Sequence, residues 1–182
     1  MATVIHANTF LQRLLGAAAL DSAIYEEVET DTAATGQAMA VVLLSSLAMG
    51  IGARGMGGDM STIAVFGVIA LITWGAWALL MYEIGTGLLP GPQTRSSPDE
   101  LLRVLGFAAT PGFAAVLGAV PGITVPVLVG TWLWTIAAMV VAVRQALDYG
   151  TTSRALAVVL LGATLAVVIA VGLGLILGPT AS

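Results

Sequence analysis

Apolar runs of membrane-crossing length recur along this 182-residue chain, separated only by short polar stretches, and no other feature constrains its fold so tightly. A helix needs about 20 apolar residues to cross roughly 30 Å of hydrocarbon, and there every backbone N–H and C=O must find its partner inside the protein. A soluble core of this size would instead alternate apolar with polar faces. Charged residues make up 9% of the chain and hydrophobic ones 58%, whereas an ordinary soluble domain carries roughly 25% charged. Water is therefore excluded as the main solvent. The expected fold is all-α: an integral membrane bundle of five transmembrane helices with an N-terminal interfacial amphipathic helix. Residues 1–34 hold that helix and an acidic segment, and residues 35–182 hold the spans, at about 37–53, 62–82, 101–120, 124–143 and 156–177.

The third span is the irregular one. Pro111 sits midway along it and Pro121 closes it, each followed by glycine. Pro111 removes a backbone hydrogen bond, so the element is either kinked and shielded by neighbouring helices or re-entrant. Pro121-Gly122 reads as a tight apolar hairpin, and Ser97-Pro98-Asp99-Glu100 as a helix start with Ser97 as N-cap. Five full spans with the N-terminus in the cytoplasm put Arg13, Arg95, Arg103, Arg144 and Arg154 on the cytoplasmic side and only Arg54 outside, as the positive-inside rule favours. A re-entrant third element would even that ratio to three against three. The same topology leaves the C-terminus extracytoplasmic and brings Tyr25, Tyr82 and Tyr149 to the cytoplasmic boundary, where amphipathic rings are at home.

From Thr9 to Ala19, Phe10, Leu11, Leu14, Leu15 and Ala18 share one helical face, opposite Gln12, Arg13 and Gly16. The same periodicity suits a helix lying in the membrane interface and one packed on the cytoplasmic side of the bundle.

Reactive chemistry is scarce. The chain has no cysteine and no lysine, and His6 is its sole histidine, which excludes disulfides, Cys/His metal sites and lysine-based phosphate loops. Ser45 and Ser46 have no base within the membrane, and Asp59 of Gly57-Gly58-Asp59 has no second intramembrane aspartate to share a proton with. No catalytic residue, metal or cofactor is expected. Glu26, Glu27, Glu29 and Asp31 form an acidic segment that reads as a protein-partner surface or as a solvated stretch pairing with cytoplasmic arginines; their spacing matches no calcium loop. Five cytoplasmic arginines against nine acids, all ten less Asp59, sum to −4, a balance that suits a basic protein partner rather than anionic lipid or nucleic acid. Ion pairs are expected among Glu83, Arg103, Arg144 and Asp148, first of all Arg144 with Asp148 at i and i+4. In the last span, Gly162, Ala166, Ala170, Gly174 and Gly178 make a small-residue stripe for close helix packing, within the chain or in a homo-oligomer. Trp74, Trp77, Trp132 and Trp134 lie inside the second and fourth spans, to pack there or to line a groove for lipid.

Leu20-Asp21-x-x-x-Tyr25-Glu26-Glu27-Val28-Glu29-x-Asp31, Gly36-Gln37-Ala38, Tyr82-x-Ile84-Gly85, Leu101 to Ala108 with Pro111, Trp132, and Val143-Arg144-Gln145-Ala146-Leu147-Asp148 together resemble the bacterial branch of the Ypt-interacting-protein (Yip) domain family. The resemblance implies five spans, a cytoplasmic N-terminus, a bacterial cytoplasmic membrane and no known catalysis. Eukaryotic relatives bind Rab-type GTPases, but the Asp-Leu-Tyr-Gly-Pro motif they carry before the first span is absent here, so GTPase binding is not carried over. The function expected is that of a non-enzymatic membrane protein organising protein partners or lipids. Its rivals are a transporter or channel with a midplane cavity lined by Thr110, Trp74 and Trp132, and an accessory subunit held through the last span.

Overall fold

The computed structural model describes residues 8–53 and 63–177; Arg54, the Gly57-Gly58-Asp59 turn and Gly178 lie outside them. Among the described residues seven α-helices follow in order: α1 (Phe10–Ala18), α2 (Ser22–Thr30), α3 (Ala34–Ala53), α4 (Ile63–Glu83), α5 (Pro98–Phe107), α6 (Thr124–Ala146) and α7 (Thr152–Leu177). A π-helical turn, Ile84–Leu88, extends α4, and a 3-10 segment, Thr110–Ala119, extends α5. Five helical stretches are long and apolar enough to cross a membrane, and α5 with its 3-10 extension counts as one of them. The chain is an all-helical integral membrane protein.

That third span is the axis of the bundle. Two thirds of its most apolar window is buried (67%), against 17–33% in the other four, so it is shielded by its neighbours, and past Phe107 it tightens into the 3-10 segment. Pro111 cannot donate to the carbonyl of Phe107, and a bare carbonyl in a membrane interior costs free energy. Thr110 repairs the gap from inside the span: its buried hydroxyl donates to Phe107 O at 2.6 Å. Ser45 of α3 donates to Ala109 O at 2.6 Å, and Gly112 N closes a 3-10 bond onto the same carbonyl at 2.9 Å. Thr110→Val keeps the shape and removes the donor. It should lower unfolding free energy by about 1–3 kcal/mol, the cost of an unsatisfied buried acceptor, when measured by denaturation in mild detergent.

Because lipid is as apolar as leucine, helices here hold together by close packing and hydrogen bonds rather than by escape from water. The buried face of α3 is Ala34, Ala38, Val41, Ser45, Ala48 and Gly52, mostly small and spaced alternately by four and three, with Val42 beside them, the geometry of an interlocking seam. Gly106 stacks on Ala38, Gly112 on Ser45, and Gly52 on the backbone carbonyl of Ala115, so α3 and the third span touch nearly backbone to backbone along their length. At the far end Gly122, with φ +90°, turns the chain from the 3-10 segment into α6.

The core lies toward one end of the bundle. Ala78, Met81 and Ile84 of the α4 region, Val140, Ala142, Val143 and Ala146 of α6, and Ala155, Val158 and Val159 of α7 are buried, whereas Val68 and Ile72, Val129 and Trp132, and Val167 and Ile169 on the same helices are exposed. The packed end is the one that carries Arg13, Arg103, Arg144 and Arg154, and α1 and α2 are built into it.

Candidate functional site

The helical hairpin of α1 and α2 is assembled around one buried cation. Thr9 caps α1 in a capping box with Gln12, Asp21 caps α2, and Leu20 between them takes a left-handed conformation (φ 63°) to reverse the chain. Arg13 is 2% exposed. Its guanidinium donates to Glu27 Oε1 at 2.8 Å and Asp31 Oδ2 at 2.6 Å, and its Nη1 to Gln37 Oε1 at 3.0 Å. Asn8 adds its backbone N–H to Glu27 Oε1 at 3.1 Å and its side-chain amide to Oε2. One network therefore ties α1, α2 and the start of α3. Burial works against the Arg13 charge, but its bonds to Glu27 and Asp31 outweigh that and hold its pKa above the ordinary arginine value. Burial would raise Glu27, yet hydrogen bonds from Asn8 and Arg13 keep it below the usual carboxylate range, and Arg13 holds Asp31 low as well.

The polar face of α1 is divided: Arg13 and Gly16 point inward, whereas Gln12 is exposed. Arg13 is buried and Gly16 packs against Ile24, while of the apolar face Phe10 and Leu14 pack on the core and Leu11 and Leu15 are exposed, at 63% and 64%. The reason is physical: the arginine finds its partners in Glu27, Asp31 and Gln37, and apolar residues can face outward where the solvent is lipid. Trp134 Nε1 of α6 donates to Ala18 O at 2.8 Å, and the rings of Phe10 and Phe107 meet edge to face at 6.3 Å, so α1 is packed on the bundle.

A second buried cation seats α2. Arg103 of α5 is 5% exposed and donates to the main-chain carbonyls of Val28 at 3.2 Å and Glu29 at 3.0 Å. Glu26, Glu27 and Glu29 occupy the end of α2, where the helix dipole disfavours acids; a guanidinium on the last carbonyls offsets this.

The acidic segment is thereby divided. Glu27 and Asp31 are spent on Arg13, Glu26 is exposed, and Glu29 is half-buried. Arg144 and Asp148 do not form the expected i, i+4 pair, because α6 ends at Ala146 and Asp148 turns left-handed (φ 50°), while Arg144 Nε donates to Tyr149 O at 3.3 Å. Glu83 is exposed, and neither it nor Arg103 is in an ion pair among the described residues; both pairs found there belong to Arg13. Tyr25 and Tyr149 are buried pegs instead of boundary anchors. Tyr25 donates to Ala17 O at 3.0 Å, and Tyr149 to Leu89 O at 2.7 Å and Gly85 O at 3.1 Å, which closes the π-helical turn. Burial raises the pKa of both phenols.

In the last span Gly162 is buried against Met81, Ala166 is half-buried and Ala170 is exposed, so packing within the chain weakens along these three positions; the surroundings of Gly174 and Gly178 lie outside what is described. Thr110, Trp74 and Trp132 do not converge on a cavity: Thr110 is inside the third span, Trp74 Nε1 donates to Leu102 O at 3.0 Å, and Trp132 is 60% exposed on the outside. An open cleft of about 340 Å³ lies instead at the packed end, between Gly91, Gln93, Asp148, Tyr149 and Arg154. No group of three or more acidic or histidine side chains could hold a metal among the described residues.

Sequence reasoning missed the roles of Arg13 and Arg103. The signal was present, since an arginine inside an apolar helical pattern needs a buried partner. The partner was not readable, because it comes from a different helix.

The segments around Tyr25, Tyr82–Gly85, Leu101–Phe107 and Val143–Asp148 thus meet at one end: Arg103 on α2, Leu147 against Gly85, and Tyr149 on the π turn. No curated protein and no solved structure matches the chain. The family model of the Yip1 domain matches residues 21–173, from the cap of α2 to the last turns of α7. The chain belongs to the Yip1 domain family.

Proposed function

We propose that this is a non-enzymatic member of the bacterial branch of the family, which organises protein partners through its packed, acidic end, with that end and the N-terminus in the cytoplasm and the C-terminus outside. One observation carries the reading: two of the cations of this end are drawn inward, and exposed acids outnumber exposed cations there. Arg13 and Arg103 are buried, while Asp21, Glu26, Glu83, Asp99 and Asp148 are exposed, against Arg95 and Arg154 as the exposed arginines among the described residues. The surface offered to a partner therefore keeps an excess of acids, and complementary charge governs encounter and partner choice. Lipids surround the apolar exterior as solvent.

The test is a triple variant, Glu26→Gln, Asp99→Asn and Asp148→Asn, all at exposed positions. Asparagine tolerates the left-handed backbone at 148. The full chain is purified gently into nanodiscs and its bound proteins and lipids are identified by mass spectrometry. Basic partners should accompany the wild type and fall by about tenfold in the variant, with a matching loss at high salt. An identical partner profile in both would overturn the reading.

A further inference from the structure

The cleft of about 340 Å³ at the packed end is walled by separate stretches of chain: the loop after the π turn, the turn after α6, and Arg154 in the first turn of α7. Its walls are pinned by hydrogen bonds. Tyr149 donates to Gly85 O and Leu89 O, and Arg154 Nη1 donates to Pro90 O at 3.0 Å. Thr94 Oγ1 accepts from Gly91 N at 2.8 Å and donates to Leu147 O at 3.0 Å. The shape is therefore preformed, as ligand sites usually are, and its volume is at the small end of their range of about 300–1,000 Å³. Depth and charge decide what such a cleft holds. Gly91 follows a membrane-crossing stretch that ends at Leu88, and Thr151 precedes one that begins at Thr152, so the cleft lies where these spans leave the hydrocarbon. Leu88 and Leu156, on the same spans, are exposed. Asp148 and Arg154 are exposed and line the cleft, and they are not ion-paired with each other among the described residues.

We infer that this cleft binds the headgroup of a zwitterionic phospholipid that carries a primary amine, with the phosphate on Arg154 and the ammonium on Asp148. The acyl chains would then lie against the exposed leucines of the adjoining spans. A negative and a positive group held apart across a small cavity match a ligand that carries both charges. Nη1 of Arg154 is held on Pro90 O, and the guanidinium has further N–H donors to offer a phosphate. A primary ammonium donates hydrogen bonds to a carboxylate, which a quaternary one cannot, and charge-assisted bonds of this kind are the strong ones. An anionic headgroup would satisfy Arg154 but leave Asp148 facing like charge. The site requires no protein partner at the acidic end.

The experiment is native mass spectrometry of the full chain, delipidated in mild detergent and titrated with phosphatidylethanolamine, phosphatidylcholine and phosphatidylglycerol of identical acyl chains. Phosphatidylethanolamine should bind about tenfold more tightly than either of the others, the difference of one charge-assisted contact at an exposed position. Arg154→Gln should weaken its binding by about tenfold, and Asp148→Asn should erase the preference over phosphatidylcholine. Gly150→Leu, where nothing stands within 4 Å of the new Cβ, should occupy the cleft and weaken binding as Arg154→Gln does. Arg154 and Gly150 lie outside the triple variant above, so loss of lipid and loss of protein partners are read separately. Equal affinity for the three lipids, tighter binding of phosphatidylglycerol, or binding that Arg154→Gln leaves unchanged would overturn the inference. If Arg154→Gln does not fold, unchanged binding in Gly150→Leu overturns it equally.

Discussion

Gly52→Ala should lower the unfolding free energy of this bundle by about 2–3 kcal/mol, although it adds a single methyl group and improves intrinsic helix propensity. The new Cβ would overlap the carbonyl oxygen of Ala115. A backbone atom cannot rotate out of the way as a side chain can, so α3 and the third span must part, and they lose packing on both sides of the point of contact. The same helix supplies the control. At Gly36 and Gly50 nothing stands within 4 Å of the place an alanine methyl would occupy, and alanine there should be neutral or stabilising by roughly 0.5–1 kcal/mol. Equilibrium unfolding in a detergent titration reads all three variants. Equal stability of Gly52→Ala and Gly36→Ala would mean that the close approach of these helices does not exist.

Arg13→Met should release the N-terminal hairpin while leaving the five-span bundle folded. Removing one partner of a buried ion pair commonly costs about 3–5 kcal/mol. Here the stranded carboxylates keep some access to solvent, at 25% and 32% side-chain exposure, which places the loss nearer to about 2–3 kcal/mol. Exchange of residues 10–31 should then accelerate by roughly 30- to 150-fold relative to the wild type, while α5 and α6 keep their protection. Unchanged exchange across α1 would show that Arg13 does not hold the hairpin. The network also has a pH signature. Glu27 and Asp31 sit below their ordinary values, so their contribution is present above the unfolded carboxylate range and disappears as pH falls through the folded values. Hairpin protection should therefore decline in acid, and Arg13→Met should abolish that decline.

How much of this was legible in the chain follows from which interactions are local. Apolar run length and the scarcity of charge determined the all-helical membrane fold, because hydrocarbon leaves the backbone no alternative to internal hydrogen bonding. Helix limits were readable to within a few residues where a proline, a glycine or a capping serine marks them, as at Ser97-Pro98 and Pro121-Gly122. The disruption at Pro111 was also readable, since the missing N–H is a property of that residue alone. The donor that repairs it was not, although Thr110 stands next to it.

Tertiary structure decided the rest. The orientation of α1 depends on whether Arg13 finds carboxylates, and these lie 14 and 18 residues further along, on the far side of a chain reversal. A hydrophobic period alone therefore left open whether α1 lies in the interface or packs on the bundle. Arg103 could be placed at a helix end from sequence, but its partners are main-chain carbonyls, which leave no trace in side-chain identity. The division of the acidic segment into two spent acids, one exposed acid and one half-buried acid follows from helical phase against two neighbouring helices. Charge and hydrophobicity are properties each residue carries by itself, whereas exposure and protonation belong to pairs of residues that only the folded chain brings together.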